Sequence, residues 1–220
     1  MKILLSWSSG KDSAWALHVL HQQYPGAVRG LLTTVNESVD RVAMHGVRRS
    51  VLEAQARAAG LPLHVVNIPH PCPNEIYEER VGAAISEARA DGFTHAAFGD
   101  LFLEDVRRYR EDRLAGSGLE PLFPIWGVPT RELASQMIEG GLRAWIACVD
   151  TRAIDASFVG REFDEQLLHD LPASADPCGE RGEFHSCVCS GPMFNGSIAL
   201  ERGDTHSVPP FVWCDLTLAR

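Results

Sequence analysis

The sequence has no long hydrophobic stretch: no run of about 18 apolar residues occurs in it, so we expect no segment that crosses a membrane. The first residues also lack the pattern of a signal peptide, because the charged side chains of Lys11 and Asp12 interrupt the apolar run. None of the 6 cysteines belongs to a CxxC pair, which argues against the common zinc and dithiol redox motifs. These absences favour a protein of the reducing cytoplasm with free thiols.

Positive charge is also scarce. The chain carries 20 Lys and Arg against 29 Asp and Glu, a formal net charge of −9. Non-specific affinity for nucleic acid comes from Lys and Arg, so we expect no nucleic-acid partner. At 220 residues, without internal repeats or low-complexity segments, the chain can form one large domain or one domain with an appendage.

Strand-like and helix-like segments alternate along the first part of the chain. Strands are predicted at 2–7, 27–35, 63–68, 93–98 and 144–149, and helices at 14–20, 45–59, 74–90 and 129–139. This alternation predicts an α/β fold, a doubly wound, mostly parallel, Rossmann-like sheet. A short helix at 158–171 and strand-like runs at 186–190, 197–201 and 211–217 predict a smaller β-containing C-terminal part. We therefore expect two units, 1–150 and 151–220.

The run Ser8–Ser13 (SSGKDS) lies between the first predicted strand and the first predicted helix. N–H groups and hydroxyls in such a turn lie at the positive end of the helix, where phosphate binds well. A GxxxxGK[ST] loop is excluded, because Leu5 stands where its first glycine would be and Asp12 where its Ser or Thr would be. The run resembles the SGGxDS pyrophosphate loop of the PP-loop ATPases, with Ser9 in place of the second-position glycine. An ordinary serine-rich helix cap is the alternative.

Further candidate residues follow the other predicted strands, because ligands of parallel sheets bind at the carboxyl ends of the strands. These residues are Thr33, Thr34, Val35, Gly99, Asp100 and Asp150. We expect adenosine to contact the end of the second strand while its phosphates occupy the first loop. His45 precedes the second predicted helix, where it is either a cap or packed side chain or a group of the nucleotide pocket.

A highly charged segment follows Asp100. Within it, Arg107 and Glu111 are four residues apart and could pair on a solvated helix face. Glu104 and Arg107 are also close enough to the strand end to contact a substrate. Both interpretations stay open at this stage.

The run Asp176–Ser186 (DPCGERGEFHS) is a glycine-interrupted loop with carboxylates and a histidine. Glu180 and Glu183 could steer ammonium or accept a proton, or could be surface charges of a turn. His185 could act as an acid or base, since its ordinary pKa is near neutrality, or could only hold the loop. A zinc site is a weak alternative, because its cysteines would be a CxC and one distant residue. Those cysteines are Cys178, Cys187 and Cys189.

Six segments together resemble the diphthine–ammonia ligase (diphthamide synthase) family. They are SSGKDS, MHGV, FGD, LEDVRRYREDRLAGSGLEPLFPIW, VD and DPCGERGEFHS. The resemblance covers nearly the whole chain and implies an adenine nucleotide alpha hydrolase-like nucleotide-binding domain. It also implies an ATP-dependent amide ligase: a carboxylate is adenylated, pyrophosphate leaves, and ammonia displaces AMP.

The positions described above, together with the resemblance, give candidate roles for individual residues. The catalytic candidates are Lys11, Asp12, Glu180, Glu183 and His185. The nucleotide-binding candidates are Ser8, Ser9, Gly10, Asp12, Ser13, Thr33, Thr34, Val35, His45, Gly99 and Asp100. The substrate-binding candidates are Glu104, Arg107, Glu180 and Glu183. Asp12 is the candidate ligand of Mg2+, which usually keeps several waters.

The implied partners are ATP, Mg2+, ammonium and a carboxylate, either protein-bound diphthine or a small molecule. The sequence does not choose between these carboxylates, and it is compatible with a homo-oligomer. Two other functions stay open. One is a tRNA-modifying PP-loop enzyme, which the acidic charge disfavours. The other is a non-catalytic nucleotide-binding regulatory protein, suggested by Ser9, whose Cβ could crowd the phosphates.

Overall fold

A mostly parallel sheet of six strands forms the first part of the protein, and the computed structural model describes residues 1–219. Its strands are β1 (Ile3–Ser6), β2 (Val28–Asn36), β3 (Arg41–Val42), β4 (Leu63–Ile68), β5 (His95–Ala97) and β6 (Glu120–Leu122). The helices of this part are α1 (Lys11–Gln23), α2 (Arg49–Ala59), α3 (Asn74–Ala90), α4 (Glu104–Leu114) and α5 (Thr130–Glu139).

Strand order explains where a ligand can bind in this sheet. The parallel strands lie in the order β4, β2, β1, β5, β6, and the short β3 pairs antiparallel with the far end of β2. From β1 the chain adds β2 and then β4 on one side of the sheet. It then returns to the other side of β1, where it adds β5 and then β6. The order therefore reverses between β1 and β5, and crevices at such points bind ligands in doubly wound folds. The predicted doubly wound, mostly parallel α/β sheet is confirmed.

The C-terminal part contains a second, antiparallel sheet of four strands. Its strands, in spatial order, are β8 (Phe184–Ser190), β7 (Arg143–Asp150), β10 (Phe211–Leu218) and β9 (Leu200–Val208). A short helix, α6 (Glu165–Asp170), precedes β8 in the chain.

The expectation that 144–149 continues the parallel sheet is wrong, because β7 pairs antiparallel with β8 and β10. An apolar run indicates a strand buried on both faces but not the strand beside which it lies. The predicted boundary after residue 150 would separate β7 from both of these partners. The organisation into two units itself stays a prediction.

Several predicted bounds also change. Helix α1 begins at Lys11 instead of residue 14, so half of the predicted turn is the first helical turn. Helix α2 begins at Arg49 instead of residue 45, because Met44 and Gly46 have left-handed backbones that an α-helix cannot contain. Strand β6 (Glu120–Leu122) is not among the predicted strands. Strand β9 extends through a polar, exposed run that has no hydrophobic alternation.

One hydrophobic core joins the two sheets. Buried side chains of β1, α1, β7, β8 and β10 belong to a single contact cluster, for example Leu5, Leu17, Ile146, Val188 and Val212. The ends of β1 and β5 are therefore held against the C-terminal sheet. Within residues 1–219, no helix combines the length and the apolar character needed to span a bilayer.

Candidate functional site

A cavity of about 500 Å³ opens at the carboxyl ends of β1 and β5, a volume within the usual range of ligand pockets. Its walls come from both parts of the chain. The first part supplies Ser6, Ser8, Lys11, Asp12, Ser13, Met44, His45, Phe98, Gly99, Asp100, Leu103 and Arg110. The C-terminal part supplies Asp150, Arg152, Gly179, Glu180, Arg181, Gly182, Phe184, His185, Ser186 and Phe211.

The turn between β1 and α1 brings two serine hydroxyls to the start of a helix. The Oγ atoms of Ser8 and Ser13 are 3.2 Å apart, and both residues line the cavity. Ser9 has a left-handed backbone with a φ of 71° and is fully buried. In the part of the chain that the structure describes, Ser9 is not among the residues that line the cavity. Its Cβ therefore does not narrow the space that the two hydroxyls border.

Close packing explains both glycines near this turn. A Cβ on Gly99 would lie 2.9 Å from the carbonyl carbon of Asp12, so glycine allows the end of β5 to approach the first turn of α1. A Cβ on Gly10 would lie 3.0 Å from Cε1 of His45. Gly99 lines the cavity, while Gly10 lies behind the serine hydroxyls.

Lys11 and Asp12 form a buried ion pair at the base of the cavity. The Lys11 Nζ donates to both Asp12 oxygens, at 2.9 and 2.8 Å, and to the carbonyl of Cys178. Burial has the largest single effect and acts to lower the pKa of Lys11, but the charge and hydrogen bond of Asp12, together with Cys178 and Glu180, leave that pKa above its ordinary value. Burial raises the pKa of Asp12, against the attraction of Lys11. Lys11 thus carries a positive charge where only 2% of its side chain is exposed.

The two glutamates of the Asp176–Ser186 loop have different surroundings. Glu180 lines the cavity, and its Oε1 accepts the N–H of Leu101 at 2.8 Å. Burial raises its pKa from 4.5 to about 7; the Leu101 N–H opposes the shift, and the charges of Asp12 and Asp100 add to it. Glu180 is therefore partly protonated near neutral pH.

Glu183 is not brought to the cavity. It is buried, and its two oxygens accept the N–H groups of Asp176 and Arg181, at 2.8 and 3.0 Å. Its carboxylate holds the loop in shape. A direct role for Glu183 in chemistry or substrate binding does not fit this placement.

The rings of His45 and His185 pack against each other with their centroids 4.5 Å apart and their planes tilted by 42°, and both residues line the cavity. Burial lowers the pKa of His185 to about 4, and nearby Lys11 contributes to the shift. Burial also lowers the pKa of His45 well below its ordinary value. Both rings are therefore neutral at pH 7. The neutral His185 ring can accept a proton, but it lacks the extra proton that a general acid would donate.

Five predicted ligand-binding residues lie away from this cavity. Thr33, Thr34 and Val35 pair with β4, and the first and last of them are buried inside the protein. Glu104 is exposed on α4. Arg107 pairs with Glu111 at 2.8 Å, the i,i+4 pair expected of a solvated face, and packs over aromatic rings. Over residues 1–219, the cavity walls contain none of these five residues.

Three cavity arginines escaped the sequence prediction. Arg110 lies one helical turn after Arg107 and pairs with Asp100 at 3.4 Å. Arg152 follows Asp150 by two residues and donates to both of its carboxylate oxygens. Arg181 lies within the glutamate loop. Arg110 and Arg152 each follow a carboxylate at a strand end, Asp100 and Asp150, and this order in the sequence is the pattern that could have indicated them.

The residues present are compatible with Mg2+ when it is bound together with a phosphate ligand. Among residues 1–219, no three His, Cys, Asp or Glu side chains are grouped so as to hold a metal ion. Mg2+, however, usually takes one or two carboxylates with substrate phosphates and waters, and Asp12 and Asp100 both line the cavity. Two of the three cysteines considered for zinc donate to separate carbonyls, Cys178 to Thr130 and Cys189 to Arg143.

Two family models match most of the chain. The diphthamide synthase N-terminal domain matches residues 1–120, and the diphthamide synthase C-terminal domain matches residues 129–209. The cavity lies where the two matched segments meet. A search of curated proteins found no match.

Proposed function

We propose, from the premise that this chain belongs to the diphthamide synthase family, that it is an ATP-dependent ligase forming an amide from a carboxylate and ammonia. A carboxylate oxygen attacks the α-phosphorus of ATP, the bond to the β-phosphate breaks, and pyrophosphate leaves. Ammonia then attacks the acyl carbon, and AMP leaves with the bonding electrons. Starting from ammonium, one proton is lost before this attack and one after it.

The observation that carries the proposal is the convergence of two loops on one cavity. The Ser8–Ser13 turn contributes two hydroxyls and a helix N-terminus, groups that bind phosphate oxygens. The glutamate loop reaches the same cavity and is fastened there by the hydrogen bond between Glu180 and Leu101. An anion at the helix terminus would lie beside the buried positive charge of Lys11. That charge would stabilise the negative charge of pyrophosphate as it leaves.

Glu180 and His185 supply the proton acceptors. A carboxyl with a pKa of about 7 is partly ionised at neutral pH and can take a proton from ammonium or from the attacking nitrogen. His185 is neutral, but its lowered pKa of about 4 makes it a weaker proton acceptor than Glu180. Asp12 and Asp100 would hold Mg2+, which when bound neutralises phosphate charge and orients the reacting phosphates.

The placement of Ser9 favours this proposal over a non-catalytic nucleotide-binding protein. The reason for that alternative was crowding of the phosphates by a serine Cβ. The Ser9 side chain is buried behind the turn, so this reason does not apply. The net charge of −9 continues to disfavour an enzyme that acts on tRNA.

The test is the identity of the nucleotide products. The protein is incubated with ATP, Mg2+ and 15N-ammonium, with an elongation factor bearing diphthine in one series and small carboxylic acids in another. AMP, pyrophosphate and a 15N-amide in equal amounts would support the proposal; ADP and phosphate would refute it. Asp12→Asn, which keeps a hydrogen-bond acceptor for Lys11, should abolish turnover, with circular dichroism as the check that the variant is folded; unchanged turnover would remove the Asp12 carboxylate from the mechanism.

A further inference from the structure

Gln55, on α2, is a fully buried amide whose hydrogen bonds join three segments of the chain. Its Nε2 donates to the carbonyls of Ser9 and Val188, at 3.1 and 2.8 Å. Its Oε1 accepts the indole N–H of Trp7 at 3.1 Å. One side chain therefore contacts the end of β1, the turn after it and strand β8.

These bonds set the direction of the peptide between Ser9 and Gly10. The Ser9 carbonyl points toward Gln55 and also accepts the N–H of Val188 at 2.9 Å. In a planar trans peptide the N–H points opposite to the carbonyl, so the Gly10 N–H is directed the other way. It donates to Ser8 Oγ at 3.4 Å, and Ser8 lines the cavity.

The conformation that Gln55 supports is an unfavourable one for serine. Ser9 has a φ of 71°, a left-handed backbone that non-glycine residues rarely adopt unless their surroundings impose it. Hydrogen bonds from Gln55 and Val188 to its carbonyl are the contacts that impose it.

We propose that Gln55 is a positioning residue for the phosphate-binding turn, holding the Ser9–Gly10 peptide so that its N–H is directed toward Ser8, on the side of the turn that borders the cavity. The proposal rests on the proposed function for the identity of the anion that the turn would bind, the pyrophosphate end of ATP. It also links the turn to β8, because Val188 lies two residues after Ser186, whose Oγ accepts the N–H of Lys11 at 3.1 Å.

Gln55→Leu and Trp7→Phe form a matched pair of variants. Gln55→Leu removes both bonds from Nε2, whereas Trp7→Phe removes the bond to Oε1 and leaves the Ser9 carbonyl with its donors. Both changes lower stability, which the melting temperature measures. Binding of inorganic pyrophosphate and of Mg-ATP is measured by calorimetry. We expect about tenfold weaker binding for Gln55→Leu, the effect of one or two lost hydrogen bonds, and less than about twofold for Trp7→Phe.

Hydrogen exchange of the ligand-free protein tests the same inference without an anion. Exchange at the Val188 amide and over residues 8–12 should be about tenfold faster in Gln55→Leu and near wild type in Trp7→Phe. Equal behaviour of the two variants in both measurements would overturn the proposal. If wild-type protein binds neither anion, the proposed function fails and exchange alone decides the role of Gln55.

A second variant covers the case in which Gln55→Leu does not fold. Gln55→Glu keeps the size of the side chain, and its ionised carboxylate would face two carbonyl oxygens, whereas its protonated form can donate to one of them. Its exchange over residues 8–12 should therefore slow toward the wild-type rate on lowering the pH from about 8 to about 6, after correction for the intrinsic pH dependence of exchange. A constant ratio to wild type would overturn the proposal.

Discussion

Glu180 makes the protein less stable as the pH rises, and Glu180→Gln removes this effect. Burial raises the pKa of the carboxyl from 4.5 to about 7. Between these values the native protein keeps the proton and the unfolded chain has lost it, so the free energy of unfolding falls with rising pH. A shift of this size corresponds to about 3 kcal/mol at full strength. Because Glu180 is partly exposed, solvent screening reduces the expected effect to roughly 1–2 kcal/mol.

Urea unfolding of the wild type and of Glu180→Gln at several pH values from about 5 to about 8 measures this effect. The variant should gain roughly 1–2 kcal/mol relative to the wild type across the series, with most of the change below about pH 7. Asp150→Asn is the control on the same cavity. Arg152 lowers the pKa of Asp150, so that carboxyl is ionised throughout the series in both states. A difference between Glu180→Gln and wild type that stays constant with pH would refute the reasoning.

Three further predictions concern packing and reactivity. Asp215→Asn breaks the ion pairs of Asp215 with Arg41 and Arg48, which lie on either side of His45 in the sequence. Urea unfolding should show a free energy of unfolding that is lower by roughly 1–2 kcal/mol, with a smaller loss at high salt. Gly99→Ala places a Cβ 2.9 Å from backbone of α1 and should cost roughly 1–3 kcal/mol, whereas Gly82→Ala, with open space around it, should not destabilise; melting temperatures compare them. Cys187 is fully buried with a raised pKa, so iodoacetamide should label it only in urea, as mass spectrometry can show.

Local patterns predicted the parts of the site that lie close together in sequence. The order of strand, turn and helix at Ser8–Ser13 is set by residues adjacent in the sequence, and it places hydroxyls at a helix start. Glycine and carboxylates in the Asp176–Ser186 run indicated a functional loop for a similar reason. Which glutamate faces the cavity depends on the Leu101 N–H, which is distant in sequence, so the pattern alone could not separate Glu180 from Glu183.

Long-range pairing is the other limit on prediction. The run that forms β7 is as apolar as a central parallel strand, and its antiparallel partners, β8 and β10, come later in the chain. Strand β9 is polar and exposed, so its pairing with β10 gives it no hydrophobic alternation to recognise. Thr33–Val35 does end a parallel strand, as predicted. The side chains of Thr33, Thr34 and Val35 nevertheless do not reach the cavity, because β3 lies beside that end of β2.

The Ser8–Ser13 turn depends on hydrogen bonds from the C-terminal part. The carbonyl of Ser9 accepts the N–H of Val188, the N–H of Lys11 is satisfied by Ser186, and the Lys11 ammonium donates to the Cys178 carbonyl. A buried lysine without such an acceptor would be strongly disfavoured. The first matched domain therefore contains the sequence of the turn, and the second contains much of what holds its shape. The glutamate loop is fixed in return by a backbone N–H of the first domain. Since each domain supplies hydrogen-bond partners to the other's functional loop, the site exists only where both are folded together.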